Sequence, residues 1–436
     1  MSPLAIGAAG IGVLLVLAAA RLPVGLALLA TGFGGVAVLV DVKTALFTLG
    51  TAPVETLSSY SLSMLPLFVL MGAFAARGGL SEGLFRAANA FIGHRRGGLA
   101  MASVVACAGF GTVCGSSLAT VTTMGRITIP EMLRYGYAPK LAAGAIAAGG
   151  TLGILIPPSM LMVIYAVITE TSIGRLFAAG IVPGVLATLL YIAAIVIWLR
   201  LRPQLGAPAA RLGWGLRMRA LGGVSPILAL FGLTVGGILL GWFSPTEGAA
   251  VGAFGALVLG VALRRLDARG IVEAVKEAVV VSAMLYLVVV GISLFEFFME
   301  AARVPEELAK LVKGLELPRY VVMAGIIVFL GLLGCVLDAI AMVFILTPVL
   351  FPIVTALGFD PVWFGIVMVM MVEFGLITPP FGMNVFVIAK LTPQVSTWGA
   401  FGGVMPFIAS DIVRIGVIVA FPAIALWLPN LIFGAG

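Results

Sequence analysis

Two double prolines interrupt apolar stretches of this chain and could expose backbone oxygens to a bound ion. Pro157-Pro158 follows Gly153-Ile-Leu-Ile, and Pro379-Pro380 follows Gly375-Leu-Ile-Thr. Proline has no amide hydrogen and clashes with the preceding helical turn, so each pair should break a helix and free carbonyl oxygens. Freed carbonyls at membrane depth are costly unless something binds them, and a sodium ion is a hard cation suited to such oxygens. Nearby hydroxyls would add ligands: Thr151, Ser159 and Thr378. The alternative is a structural kink whose carbonyls a neighbouring helix satisfies.

Polar residues also interrupt two apolar stretches that lie before the double prolines. Cys114-Gly115-Ser116-Ser117 offers hydroxyls and a close backbone approach, and Asp338 places a carboxylate in an apolar run. An ionisable residue inside a membrane segment is a candidate functional residue by default. Asp338 could bind a cation directly, or it could only cap the helix that begins there.

These residues form two sets that are related by one offset. Gly375 lies 222 positions after Gly153, and the same offset relates Asp338 to Ser116. Paired halves with Gly/Pro-broken apolar segments at matching positions are typical of membrane transporters, whose binding site lies at the breaks. We therefore expect two halves and a linker: a first repeat at residues 1–199, a basic linker at 200–225, and a second repeat at 226–436.

The composition indicates a membrane protein. Hydrophobic residues make up 62% of the chain and charged residues only 10%, which is too little charge for the surface of a soluble domain of this size. The basic residues lie in loops between apolar runs, so they indicate membrane topology rather than nucleic-acid binding. Ten runs are long enough to cross a bilayer: near 4–20, 22–40, 57–76, 141–168, 174–199, 226–242, 246–263, 279–299, 363–390 and 398–428.

Each half also contains an apolar segment of awkward length, at about 97–130 and about 319–352. A straight helix of about 34 residues would be about 50 Å long, against a hydrocarbon core of about 30 Å. A re-entrant helical hairpin fits this length better, with its turn at Gly111–Ser117 or at Gly334–Asp338. A single tilted or kinked helix is the alternative. A short amphipathic stretch before each hairpin, around Leu84 and Leu308, should lie along the membrane surface.

The re-entrant hairpins decide the predicted topology. Each half then crosses five times, one crossing being the broken helix at about 141–168 or about 363–390. Because five is odd, the second half should be inverted relative to the first. The basic linker contains no acidic residue and should be cytoplasmic, and most of the other loop Lys and Arg residues then fall on the same side.

The sequence shows no pattern that predicts an enzyme. It contains no Ser-His-Asp set, no paired metal-ligand motif and no phosphate-binding Gly-Lys-Ser/Thr loop. We therefore expect no catalytic activity and no cofactor other than coupling ions. A transporter without an ATP-binding motif has to draw on an ion gradient.

Several segments resemble the large membrane subunit of the tripartite ATP-independent periplasmic (TRAP) transporters, the DctM-like family. They run through both halves, so the resemblance covers nearly the whole chain. The segments are Gly111–Ala119, Ile129–Met132, Tyr135–Tyr137, Gly153–Ser159, Ser172–Phe177, Ala179-Gly180, Pro183-Gly184, Phe243–Ala249 and Gly375–Asn384.

The resemblance implies a sodium-coupled importer of organic acids, usually carboxylates, in the cytoplasmic (inner) membrane of a bacterium or archaeon. It implies two partners, a secreted substrate-binding protein and a small membrane subunit, and an elevator in which hairpins and broken helices move against the other helices. The family's cation sites lie between each hairpin tip and its broken helix. In this sequence the resemblance assigns the first cation site to Ser116, Ser117, Pro157 and Ser159, beside Gly115. It assigns the second cation site to Asp338, Gly375, Thr378 and Pro379.

Solute contacts are expected at Ser117, Asn384 and Arg126. Asn384 could face the cavity. Arg126 departs from the small or hydroxyl residue that the family would place there. It could meet an anionic solute, or its side chain could reach the cytoplasmic surface. Two other functions stay open: an organic-anion/sodium symporter that needs no binding protein, and a passive channel. Membrane lipid is an expected partner and nucleic acid is not.

Overall fold

The computed structural model describes residues 2–20, 22–314 and 317–434, and every regular element within these ranges is a helix. The first half and the linker contain α1 (Pro3–Ala19), α2 (Val24–Leu39), α3 (Val42–Ser58), α4 (Met64–Arg77), α5 (Leu80–Ile92), α6 (Gly98–Cys114), α7 (Ser117–Arg134), α8 (Pro139–Leu155), α9 (Met160–Thr169), α10 (Ile173–Leu201) and α11 (Trp214–Gly222). The all-helical prediction is confirmed.

The second half continues the helical pattern. A π-helical turn, Gly232–Gly236, joins its first two helices. Its elements are α12 (Ser225–Phe231), α13 (Gly237–Leu239), α14 (Pro245–Ala262), α15 (Ala268–Ala301), α16 (Val304–Gly314), α17 (Arg319–Gly334), α18 (Ala339–Ala356), α19 (Pro361–Ile377), α20 (Met383–Leu391), α21 (Thr397–Ala420) and α22 (Ala423–Phe433).

The chain is a multi-pass membrane protein. By length and composition, the described residues contain six helices able to cross a membrane, or up to eight if two bent pairs each count as one span. Three of the ten predicted crossings are missing from this number because their helices are short, and the number includes α18, which was predicted as an arm of the second hairpin. The helices α1 and α2 have 17 and 16 residues, and the second broken helix is divided into pieces of 17 and 9 residues. Each piece is shorter than the roughly 20 residues of one crossing.

Both double prolines lie in gaps between helices, as the sequence predicts. The first gap separates α8 from α9, and the second separates α19 from α20. The helix pairs predicted as hairpins are also present: two residues join α6 to α7, and four join α17 to α18. That each pair enters and leaves by one membrane face, and that the halves are inverted, stay predictions.

The linker contains a helix, α11, where the Arg217 guanidinium stacks on the ring of Trp214. Two sequence-based boundaries were wrong. The first hairpin turn is only Gly115-Ser116, because α6 continues to Cys114. The last apolar run is two helices, because Pro422 separates α21 from α22. The helix α3 was not predicted, because its threonines and serines lower its mean hydropathy.

The helix α8 lies at the centre of the site region. It packs against α6, α7, α19, α20 and α21, and all of its residues from Leu141 to Leu155 are buried. Its many alanines and glycines allow this, since a side chain at Gly144 would clash with the backbone of Gly403 on α21. A second group of helices, α2, α4, α14 and α15, packs together, and α4 connects it to the first group by contacting α6.

Candidate functional site

The first candidate site lies where the turn between α6 and α7 meets the gap between α8 and α9. Gly115 has φ +62°, and a side chain there would come within 2.7 Å of the Pro158 carbonyl oxygen. Glycine is therefore required for this approach. The side chains of Ser116 and Ser159 each accept a backbone amide hydrogen bond, at 3.4 and 3.3 Å, and so cap α7 and α9. The structure thus brings the turn and the double proline into contact.

The first break leaves backbone oxygens without their helical donors. The residues four positions after Gly153 and Ile154 are Pro157 and Pro158, which have no N–H group. The Ser159 hydroxyl donates to the Ile154 oxygen. The Gly153 oxygen has no donor at its helical position. Gly153 itself lies near the turn, since a side chain there would meet the Ser116 oxygen at 3.3 Å.

The second candidate site lies between the turn of α17 and α18 and the end of α19. Asp338 caps α18 by accepting a hydrogen bond from the Ala341 amide at 2.8 Å. It also lines a cavity of about 100 Å³ together with Gly375 and Leu376. A side chain at Gly375 would come within 2.6 Å of the Gly334 carbonyl carbon, so α17 and α19 touch through their backbones. Because a carboxylate has about four lone-pair sites, capping leaves Asp338 able to bind a cation.

The wall of this cavity contains carbonyls without helical donors. The residues four positions after Gly375 and Leu376 are Pro379 and Pro380. Asp338 and the two residues whose carbonyls lack a helical donor, Gly375 and Leu376, therefore line the same small space. Oxygen ligands of this kind are typical of sites for hard cations.

Two predicted ligands of the second site lie outside this cavity. Neither Thr378 nor Pro379 lines it. The Thr378 hydroxyl donates to the Phe374 oxygen at 2.5 Å and thereby satisfies the end of α19. A role for Thr378 in binding a cation would use its two oxygen lone pairs, which this donated hydrogen bond leaves free.

The structure joins two of the three predicted solute residues across the halves. The Asn384 amide nitrogen donates to the Ser117 hydroxyl at 2.7 Å and to the Ala147 oxygen at 3.0 Å. Asn384 is fully buried, and its Oδ1 has no partner among the described residues. Arg126 is exposed on α7, ten residues after Ser116, which places it about 15 Å along the helix from the turn.

A buried charged cluster connects the two broken helices. The Arg414 Nη2 atom lies 2.7 Å from Glu373 Oε2 and 3.0 Å from Asp411 Oδ1, and all three side chains are fully buried. Tyr191 donates to Asp411 at 2.8 Å and lies 3.4 Å from the Thr151 hydroxyl. Thr151 and Glu373 each lie two residues before the glycine that precedes a break, so the cluster joins equivalent points of α8 and α19.

The ion pairs of this cluster are close but poorly aligned. Although Arg414 and Glu373 lie at ion-pair distance, the N–H bonds of Arg414 do not point at the carboxylate oxygens. Both Glu373 oxygens and all three Arg414 guanidinium nitrogens therefore lack a well-directed hydrogen bond among the described residues. The sequence indicates the pairing of Asp411 with Arg414 at i, i+3 spacing. It does not indicate Tyr191, because a lone tyrosine in an apolar helix carries no pairing signal.

The family model for the tripartite ATP-independent periplasmic transporter, DctM component, matches residues 11–424 of this chain. The chain belongs to this family. The resemblance found in the sequence is thereby confirmed, and so is the expectation that this DctM-family protein is a transport protein and not an enzyme.

Two characterised relatives illustrate the family. The C4-dicarboxylate TRAP transporter large permease protein DctM of Pseudomonas aeruginosa is 38% identical, covering 86% of this chain and 88% of the relative. The sialic acid TRAP transporter large permease protein SiaM of Vibrio cholerae is 31% identical, covering 87% and 88%. The fold also resembles the crystal structure of the Alcanivorax borkumensis YdaH transporter, with a TM-score of 0.63 at 17% identity, covering 89% and 90% of the two chains.

Proposed function

We propose that this DctM-family protein is the large permease subunit of a sodium-coupled importer of organic acids. It would work with a secreted substrate-binding protein and a small membrane subunit in the cytoplasmic membrane of a bacterium or archaeon. The proposal rests on the small cavity at the second break, which is lined by Asp338 and by Gly375 and Leu376, whose carbonyls have no helical donor.

Sodium fits this space better than a proton would. A monovalent hard cation is satisfied by several oxygens of partial or full negative charge, and two carbonyls with no helical donor supply them. The first break offers the equivalent set, Gly153 and the turn at Gly115-Ser116, without a carboxylate. We propose Gly115, Ser116, Ser117, Pro157 and Ser159 around the first ion, and Asp338, Gly375, Thr378 and Pro379 around the second.

The solute would bind where the two sites meet. The contact between Asn384 and Ser117 joins the second broken helix to the first hairpin turn. The relatives named above handle a C4-dicarboxylate and a sialic acid, both of which are carboxylates. The Asn384 amide uses both of its hydrogens on Ser117 and Ala147, so the donor for a solute carboxylate would be the Ser117 hydroxyl, which accepts from Asn384 and keeps its own hydrogen. If a hairpin and its broken helix moved together relative to the other helices, the ion contacts and the solute contacts would change at the same time. This arrangement therefore favours an elevator as the mode of transport.

Sodium-dependent uptake by proteoliposomes tests the proposal. The permease is reconstituted with its small subunit, and uptake of a radiolabelled dicarboxylate is measured with the binding protein present, in sodium and in potassium. We expect uptake only with sodium. In Asp338→Ser, the serine keeps the helix cap but removes the charge, so the sodium concentration for half-maximal uptake should rise at least about tenfold, or about 1.4 kcal/mol.

Asp360→Ala is the matched control. Asp360 caps the other end of α19 by accepting from the Val362 and Trp363 amides at 2.8 and 3.0 Å, away from the cavity. The Asp360→Ala variant should leave the sodium dependence of uptake unchanged. An unchanged sodium requirement in Asp338→Ser would remove Asp338 from the ion site. Equal uptake without the binding protein would favour a simple symporter, and uptake independent of sodium would favour a channel.

A further inference from the structure

A second cavity, far larger than the first, lies between α5, α11 and the turn that connects α14 to α15. Its volume is about 590 Å³, within the range of pockets that hold organic ligands, about 300–1,000 Å³. The walls are mainly apolar or small, and three arginines complete them. The lining includes Leu80, Ala90, Leu212, Leu216, Ala220, Pro226, Leu263, Arg86, Arg219 and Arg265.

The arginines leave this cavity with unused positive charge. The Arg219 side chain makes no hydrogen bond or ion pair with any residue in the described part of the chain. Arg265 uses Nη1 to donate to the Gly79 oxygen at 2.7 Å, which leaves its other donors free. Arg86 pairs with Glu82 at 3.0 Å, but none of the residues that line the cavity is acidic. The side chains that line the cavity therefore carry a net positive charge.

The cavity lies at the ends of membrane helices. The helix α4 ends at Arg77, α14 ends at Ala262, and α12 and α15 begin at Ser225 and Ala268, all within a few residues of the cavity lining. Several of its leucines are partly exposed: Leu212 at 38%, Leu216 at 56% and Leu263 at 44%. This combination of charge and exposed apolar surface is the one expected at the depth where lipid headgroups give way to acyl chains.

The neighbouring surface adds to the positive potential. Arg217 is 6% exposed and stacks on the Phe91 and Trp214 rings, yet its Nε and Nη2 atoms have no partner among the described residues. Burial and the guanidinium groups of Arg217 and Arg211 lower the pKa of His94. The linker contains five arginines and no acidic residue, so nothing in it offsets this field.

We infer that this cavity binds an anionic phospholipid from the surrounding leaflet. The phosphate would accept hydrogen bonds from Arg219 and Arg265, and the acyl chains would lie against Leu212 and Leu216. A soluble anion would gain nothing from the apolar walls, and a zwitterionic lipid would gain less from the arginines. Basic pockets between membrane helices on the cytoplasmic side commonly bind anionic headgroups, and the charge distribution predicts that this face is cytoplasmic.

Native mass spectrometry of the purified permease tests the inference. We expect the protein to retain phosphatidylglycerol in preference to phosphatidylcholine. In Arg219→Gln/Arg265→Gln, phosphatidylglycerol binding should weaken about 30-fold, which corresponds to about 1 kcal/mol for each arginine. The matched control is Arg134→Gln/Arg202→Gln, two exposed arginines that do not line the cavity, and its binding should equal that of the wild type.

A third variant separates the acyl chains from the charge. Leu216→Trp fills the apolar wall but keeps every arginine, so it should also weaken phosphatidylglycerol binding. Thermal unfolding in phosphatidylcholine micelles shows that each variant is folded. Equal binding by wild type and the cavity double variant would overturn the inference, as would an equal loss in the control. Displacement of the lipid by millimolar inorganic phosphate, or by the small subunit, would also overturn it.

Discussion

Replacing Arg414 by methionine removes a positive charge from a buried cluster that also holds Glu373 and Asp411. The Arg414 Nη2 atom lies 2.7 and 3.0 Å from the two carboxylates, and no part of the three side chains is exposed. Breaking a buried ion pair by removing one partner costs about 3–5 kcal/mol, because the remaining charge stays buried and uncompensated. Tyr191 already donates to Asp411, so the larger loss should fall on Glu373.

A double variant shows where the loss arises. Glu373→Gln/Arg414→Met removes one charge of each sign and restores the original net charge of the cluster. It should be more stable than Arg414→Met alone, by at least about 1 kcal/mol, if Glu373 is the uncompensated group. Arg269→Met is the matched control. Arg269 pairs with Glu273 at 3.2 Å, but its side chain is 87% exposed, and surface pairs contribute about 0–1 kcal/mol.

Buried thiols of the chain provide the assay. Cys107 and Cys114 are buried on α6, so a thiol-reactive fluorophore labels them only as the protein unfolds. The free energy of unfolding is measured by SDS titration in mixed micelles. A loss in Arg414→Met no greater than that in Arg269→Met would refute the reasoning. A double variant less stable than Arg414→Met would show that Glu373 is not the group left uncompensated.

Two further predictions concern the contacts between helices. Gly375→Ala should destabilise the protein by about 1–3 kcal/mol, because the new methyl group would overpack against Gly334. Gly325 on α17 faces open space, so Gly325→Ala should stabilise the protein by about 0.5–1 kcal/mol. Equal shifts of the two thermal unfolding midpoints would contradict this prediction. Asn384→Ala removes two buried hydrogen bonds and leaves their acceptors unpaired. Each unpaired buried group costs about 1–3 kcal/mol of stability. The Asn384→Ala variant should raise the solute concentration for half-maximal uptake about tenfold, and an effect no larger than that of the exposed Asn430→Ala would exclude Asn384 from the site.

Local chemistry made part of the site predictable from the sequence. A double proline interrupts a helix in any packing environment, because two amide donors are missing and the rings clash with the preceding turn. Both breaks therefore occur where the residues predict them. Asp338 and Ser116 were predicted at hairpin turns, and each caps the helix that follows it. For Asp338, the sequence left capping and cation binding as alternatives, and the structure shows the cap beside a cavity.

A distant contact accounts for the boundary that failed at the first hairpin turn. Gly111 looks like a turn residue in the sequence, but it lies within α6, where its missing side chain lets α6 touch α8; a Cβ there would come within 2.5 Å of Gly153 Cα. The linker contains a helix that the sequence does not predict, α11, where Arg217 stacks on the nearby Trp214 ring and on the distant Phe91 ring. Gly153 and Phe91 are far in sequence from the residues that they contact, so a local pattern cannot indicate these contacts.

The sequence by itself determined that this chain is a helical membrane protein of the DctM family, with breaks at both double prolines. Hydrophobicity and the chemistry of proline are properties of each segment alone, so no knowledge of packing is needed. Only the tertiary structure decided that Asn384 bonds to Ser117, 267 positions away, and that Tyr191 bonds to Asp411, 220 positions away. Such contacts depend on which helix faces meet and at what depth, and hydrophobic patterns leave that open in helices that are apolar on every side.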